Sequence, residues 1–189
     1  MSLVEFLKQN HPEALVKQAA TAETKTKTNG DLILMRGLPG SGKTTFAQQL
    51  LEQGKKEGRN PVNFSTDDFF LVPLSDESKS VTYKVRTLFN LAQKHKCFVV
   101  KYDVTKLRLY HLQNQGKARK AMKERTHDTV IIDNCNAQLW EMKPYVEMAM
   151  TEKYKVAFVY PPTEWSMDAE KCALASTHGV PLEIGRAHV

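Results

Sequence analysis

The sequence predicts an α/β fold, with a mostly parallel sheet and helices crossing between its strands. Two observations carry that expectation. Short runs rich in Val, Ile and Leu alternate along the chain with longer stretches of helical apolar spacing. The first of those runs also ends in a glycine-rich turn that opens directly into a helix-like stretch, "RGLPGSGKTTFAQQL". A length of 189 residues sets one domain as the expectation, and 41% hydrophobic residues suffice for its core.

The elements follow in order. Leu3, Phe6 and Leu7, then Ala14, Leu15 and Ala19, recur at helical spacing and predict one or two short amphipathic helices broken near His11-Pro12. These form an N-terminal segment, residues 1–30, that closes with the polar linker "TAETKTKTNG". A buried strand is expected over Asp31–Arg36, then a helix from Lys43 with Phe46, Leu50 and Leu51 on one face. Further strands are expected at Pro61–Ser65, Asp128–Asn134 and Tyr154–Tyr160. Helices are expected near Val104–Arg125, Leu139–Thr151 and Ser166–Ser176. Alternating strands and helices favour parallel pairing with crossovers.

Composition narrows the function. No apolar run is long enough to span a membrane, and the N-terminus carries acids and lacks the apolar core of a secretory signal. Cys97, Cys135 and Cys172 form no CxxC pair, which argues against a zinc site or disulfide scaffold and fits a reducing compartment, cytosol or nucleus. The net charge of +6 suits an anionic partner.

The residues Gly37, Leu38, Pro39, Gly40, Ser41, Gly42, Lys43 and Thr44 fit G-x-x-x-x-G-K-[ST], and Thr45 follows. Glycines let successive amides point into one concavity, and the helix start adds partial positive charge. Lys43 reaches β- and γ-phosphates, and Thr44 is placed to hold Mg²⁺. After the second strand, "FSTDDFF" puts Asp67 and Asp68 at the ligand edge of a parallel sheet. One of them can take the proton of an attacking hydroxyl; the alternative is that the pair caps a turn. "VIIDN" ends an apolar strand in Asp133, a second Mg²⁺ residue acting through water. Asn134 and Asn136 at the same edge orient substrate or cap the next helix.

Together these motifs, with "VIIDNCNAQLWEMKPY" and "THGVP", resemble P-loop kinases of the polynucleotide-kinase-like group, most of all the kinase-like domain of Nedd-four-binding protein 2-like proteins. The resemblance covers about Leu32–Pro181. It implies a three-layer α/β/α sandwich, ATP with Mg²⁺, and γ-phosphoryl transfer to a hydroxyl, of a nucleic acid or of a small molecule. It assigns Asp67 as general base. It also marks departures. The family has an arginine at the position of Phe70, an acid at that of Asn134, and lid arginines where Leu174 and Ala175 stand. Trp140 and Tyr145 read as packing residues in preference to base-stacking ones.

Two stretches stand apart. Val85–Lys101 falls where the family runs directly from "VTYK" to "YDVTK"; its removal keeps the frame, so it reads either as an insertion or as a retained intron. The end, "EIGRAHV", back-translates to the sequencing-adapter string AGATCGGAAGAGCACACGTC, which makes residues 183–189 an expected adapter-derived tail and residues 31–182 the kinase-like domain, here a fragment that lacks its last strand.

"KLRLYHLQNQGKARKAMKER" carries seven Lys/Arg and one acid. Its basic residues, among them Lys117, Arg119, Lys120 and Lys123, either track a nucleic-acid backbone or form a solvated helix face; their spread around the helix favours the latter. His111 reads as a surface or core histidine, and "PPTEW" lacks the tyrosine of a PPxY partner motif. The leading function is an ATP-dependent phosphotransferase. The alternatives are a nucleotide-binding interaction module with little turnover, which brings in a protein partner, and a hydrolytic switch, for which no signature is present.

Overall fold

A computed structural model describes residues 3–18, 28–73, 98–100, 103–176 and 182. Its centre is a sheet of four parallel strands, β2 (Gly30–Met35), β3 (Pro61–Phe64), β6 (Thr129–Ile132) and β7 (Tyr154–Val159), in the order β7-β2-β6-β3. The expected α/β class is what the structure shows. The sheet is parallel because helices return the chain between strands: α2 (Lys43–Lys56) after β2, α3 (Leu107–Lys123) before β6, and α4 (Leu139–Thr151) between β6 and β7. β2 and β6 are buried along nearly their whole length, as central strands covered on both faces must be.

Each face has its own core. Ile33, Met35, Ile131, Ala157 and Val159 point to one side, where Phe46, Ala47, Leu50 and Leu51 of α2 pack. Leu32, Leu34, Val130, Ile132 and Val156 alternate to the other, against Ala118, Ala121 and Met122 of α3 and Met142, Tyr145, Met148 and Ala149 of α4. The N-terminal helix α1 (Leu3–Asn10) adds Leu3, Val4 and Leu7 to the first of these cores. Its start is fixed by Asp31, whose Oδ2 accepts from the Leu3 amide at 3.0 Å and from Arg59 at 3.0 Å. Arg59 also donates to Thr129 Oγ1 at 2.6 Å, so this buried pair ties α1, β2 and β6 together at the N-terminal edge of the sheet, away from the phosphate loop.

Two expectations are corrected. After His11 the chain makes only a single 3-10 turn, Pro12–Ala14, where a second amphipathic helix is one expectation, and Leu15–Gln18 form strand β1, antiparallel to β7. A free edge beside β7 offers a row of unpaired amides and carbonyls, and pairing with it outweighs the helical spacing of so short a stretch. The edge beyond β7 is therefore occupied by β1. Trp140 does not pack: it is 72% exposed. The inner face of α4 is set by Met142, Tyr145 and Met148, and a residue two places before Met142 falls about 200° round the helix from it, on the outer side. Tyr145 packs as expected. Phe98–Val100 form a strand, β5, that pairs antiparallel with β4 (Leu71–Pro73). The remainder of the Val85–Lys101 stretch, and the tail from 183, lie outside the described residues.

Candidate active site

The phosphate loop leaves β2 at Arg36, whose amide is held by the Val159 carbonyl at 2.7 Å, and its Gly37 amide donates to Cys135 O at 3.1 Å. These bonds hang the loop between the ends of β7 and β6. Gly40 and Gly42 have φ of +81° and +95°, values that side chains rarely tolerate. α2 then starts at Lys43 without a side-chain cap. Its first amides have no intrahelical partner, and their positive end faces the loop concavity.

The segment after β7 braces the loop from outside. Thr163 Oγ1 donates to Ser41 O at 2.7 Å and Trp165 Nε1 to Gly40 O at 3.3 Å. The short helix α5 (Ala169–Ala175), capped by Asp168 through the amides of Glu170 and Lys171, brings the Cys172 backbone against Gly40. A Cβ on Gly40 would overlap the Cys172 carbonyl oxygen. Gly40→Ala is therefore expected to cost about 2 kcal/mol through left-handed strain and overpacking, read as a lower urea midpoint with an unchanged slope. An equal midpoint would show that α5 does not brace the loop.

Lys43 is buried, and its Nζ donates to Leu38 O at 2.7 Å inside the loop. The thiol of Cys135 lies near this ammonium, whose charge acts on it, a neighbour that motif spacing does not reveal. Burial outweighs the Lys43 charge and pushes the Cys135 thiol up, away from the reactive thiolate.

Asp133 ends β6 and is buried, with its amide on Phe64 O at 3.0 Å. The Thr44 hydroxyl is close enough to favour its charged form, while Oδ2 is buried with no hydrogen-bond partner among the described residues. Burial pushes its pKa up to about 6, against the Thr44 hydroxyl and the Lys43 charge and with the repulsion of Asp67 and Asp68. A buried carboxylate oxygen left without a partner, beside a hydroxyl and a loop built for anions, fits a divalent cation carried in with phosphates. Among the described residues no group of three His, Cys, Asp or Glu could hold a metal by itself. A cation here would need phosphate and water oxygens besides Thr44 and Asp133.

Asp67 and Asp68 lie on a 3-10 turn directly after β3, and their charges act on Asp133. Ser65, which sequence reasoning passed over, sets that turn. Its Oγ donates to Asp133 O at 3.0 Å and accepts from the Asp67 amide at 3.2 Å. Asp67 is exposed at the open edge. Asp68 is exposed as well, yet partial loss of water around it raises its carboxyl above the ordinary range, opposed by Lys117 and reinforced by Asp67.

The asparagines hold backbone. Asn134 Oδ1 accepts from the Thr66 amide at 3.0 Å, and near it the Tyr145 hydroxyl accepts from Asn114 Nδ2 at 3.1 Å. Asn136, buried at φ +46°, donates from Nδ2 to Met35 O at 2.7 Å. Phe70 is buried edge-on against Tyr110. Leu174 is 89% exposed and, as a leucine, brings no charge to the loop.

A family model described as an AAA domain, AAA_33, matches residues 32–173. The chain belongs to this family of P-loop kinase-like AAA domains. It is 36% identical over 152 residues to human NEDD4-binding protein 2, covering 80% of this chain and 7% of that protein. It is 24% identical over 153 residues to human YLP motif-containing protein 1, covering 80% of this chain and again 7% of that protein. The AAA domain described here thus spans less than a tenth of the length of these curated relatives. A chain in the solved Pnkp1/Rnl/Hen1 complex shares its fold, with a TM-score of 0.50 and 20% identity over 80% of this chain and 40% of that one.

Proposed function

We propose that this AAA domain binds ATP with Mg²⁺ and transfers the γ-phosphoryl to a hydroxyl acceptor, in the manner of a polynucleotide kinase. The single observation that carries this reading is the convergence of Lys43, Thr44, Asp133 and Asp67 at one edge of the sheet, where Lys43, Thr44 and Asp67 all act on the Asp133 carboxylate and Ser65 bridges Asp133 to the Asp67 turn. Loop amides and Lys43 hold the β- and γ-phosphates, with Lys43 exchanging the Leu38 carbonyl for phosphate oxygen. Thr44 and Asp133 would hold Mg²⁺, which neutralises developing charge on the phosphates when bound. Asp67 takes the proton of the incoming hydroxyl, and the chain contributes position and charge.

A second reading, a nucleotide-binding module with little turnover and a protein as its partner, is favoured by two specific observations. Phe70 fills core where a kinase of this group has an arginine, and Leu174 and Ala175 supply no cation over the phosphates. NEDD4-binding protein 2 bears a protein partner in its name, which suits this reading. Incubation with γ-labelled ATP, Mg²⁺ and a 5′-hydroxyl oligonucleotide separates the two. Label in the oligonucleotide supports transfer. MgATP binding without label in any hydroxyl acceptor supports the module.

A further inference from the structure

His111 has no part in the function argued so far, yet it stands at the acceptor side of the site. It lies on α3, half-buried, with Nδ1 3.4 Å from the hydroxyl of Thr66, the residue before Asp67. Thr66 is buried, and its amide is fixed by Asn134. Two acids act on the imidazole from different elements: Asp67 from the turn after β3, and Glu141 from the first turn of α4. Glu141 is itself anchored, since its Oε2 accepts from the Gln138 amide at 2.8 Å. The turn after β3 thus touches this ring through Thr66, and α4 acts on it through the Glu141 charge.

The core makes no use of an imidazole there. The inward residues of α3 are Asn114, Ala118, Ala121 and Met122. With Nδ1 turned to Thr66, Nε2 is left on the other edge of the ring, in a side chain that remains partly open. Burial lowers the His111 pKa more than Asp67 and Glu141 raise it, so the ring is neutral at pH 7 and has a donor on one nitrogen and an acceptor on the other. On the same helix the Lys117 ammonium sits 4.1 Å over the Phe69 ring and acts on Asp68, which places a cation beside the acidic turn.

We propose that His111 is an acceptor-binding residue, using Nε2 to hold the terminal nucleotide of a nucleic-acid strand whose hydroxyl faces Asp67, with Lys117 nearby for its phosphodiester. The proposal rests on the phosphotransfer reading for the role of that hydroxyl. It separates two faces of the site: the phosphate loop sets affinity for ATP, and α3 sets affinity for the acceptor.

Two measurements test it. In the first, ring signals of His111 are followed by NMR while the protein, saturated with a non-hydrolysable ATP analogue and Mg²⁺, is titrated with a 5′-hydroxyl oligonucleotide. A saturable shift of the His111 signals is expected; signals unmoved at the highest oligonucleotide concentration overturn the proposal. In the second, loss of one hydrogen bond in His111→Ala raises the acceptor KM roughly tenfold, leaves the KM for ATP in place, and is partly restored in His111→Gln. A KM change shared equally by ATP and acceptor, or no change in either, assigns His111 to structure alone and overturns the proposal. Should His111→Ala fail to fold, the ring signals of the unaltered protein still decide. If the protein transfers no label yet its His111 signals shift with oligonucleotide, the phosphotransfer reading fails and the acceptor contact stands.

Discussion

Replacing Asp67 with alanine is expected to lower γ-phosphoryl transfer by roughly 10²–10⁴-fold, the range for a positioned general base. MgATP affinity is expected to stay within about threefold, because Asp67 reaches the nucleotide only through the attacking hydroxyl. Stability is expected to hold as well. Asp67 is exposed, and what fixes its turn is its backbone amide on Ser65 Oγ, which alanine keeps. The neighbouring acid serves as control. Asp68 is held by the Ser65 backbone and opposed by Lys117, so Asp68→Ala is expected to cost less than Asp67→Ala in the same assay. Single-turnover transfer with labelled ATP checks both. A rate within tenfold of the unaltered protein for Asp67→Ala would remove it as base.

Asp133→Asn is expected to stabilise the protein at neutral and alkaline pH while abolishing Mg²⁺-dependent nucleotide binding. The carboxyl has a pKa of about 6 in the folded chain against an ordinary value of 3.8. The native state thus holds this proton more tightly than the unfolded chain. The favourable contribution is full below pH 3.8, and it is lost as pH rises through about 6. Above that pH the buried anion costs about 3 kcal/mol, at ~1.4 kcal/mol per pK unit. Asparagine removes the charge and leaves one polar atom in the place of the unpartnered Oδ2, so the gain at pH 8 is expected at about 2 kcal/mol. At pH 4 the two proteins are expected to be equally stable, because aspartic acid and asparagine are then both neutral. Asp31, whose pKa is also raised, is common to both chains and cancels in the comparison. Urea titrations at the two pH values check the stability claim. MgATP titration checks the binding claim, and binding to the unaltered protein is expected to weaken below pH 6 as Asp133 protonates. An asparagine variant less stable than aspartate at pH 8 would show that Thr44 and Lys43 stabilise the anion by more than its burial costs.

Legibility in the sequence followed the range of the interactions. The phosphate loop could be read because its glycine conformations, helix start and lysine are all local to residues 37–45. The four parallel strands could be read because burial on both faces demands continuous apolar runs. β1 could not, since Leu15–Gln18 is a strand only through its pairing with β7, more than a hundred residues on. Asn134 and Asn136 sat at the edge the sequence expected, but their partners, the Thr66 amide and the Met35 carbonyl, come from other elements, so their hold on backbone was invisible. The same is true of Cys135 against Lys43, and of Thr163 and Trp165 on the phosphate loop. Trp140 was misread for another reason: the motif drew attention to its size, while the phase of Met142, Tyr145 and Met148 already placed it outside.

The central claim is that the loop from Gly37 to Thr45 holds the phosphates of a nucleotide. Titration calorimetry of MgATP into this chain and into Lys43→Ala tests it most directly. Saturable binding to a single site is expected, weakened roughly 10–100-fold in Lys43→Ala by loss of a charge-assisted bond, with the unfolding midpoint little changed. No heat of binding in the unaltered chain, or equal affinity in the two, would contradict the account.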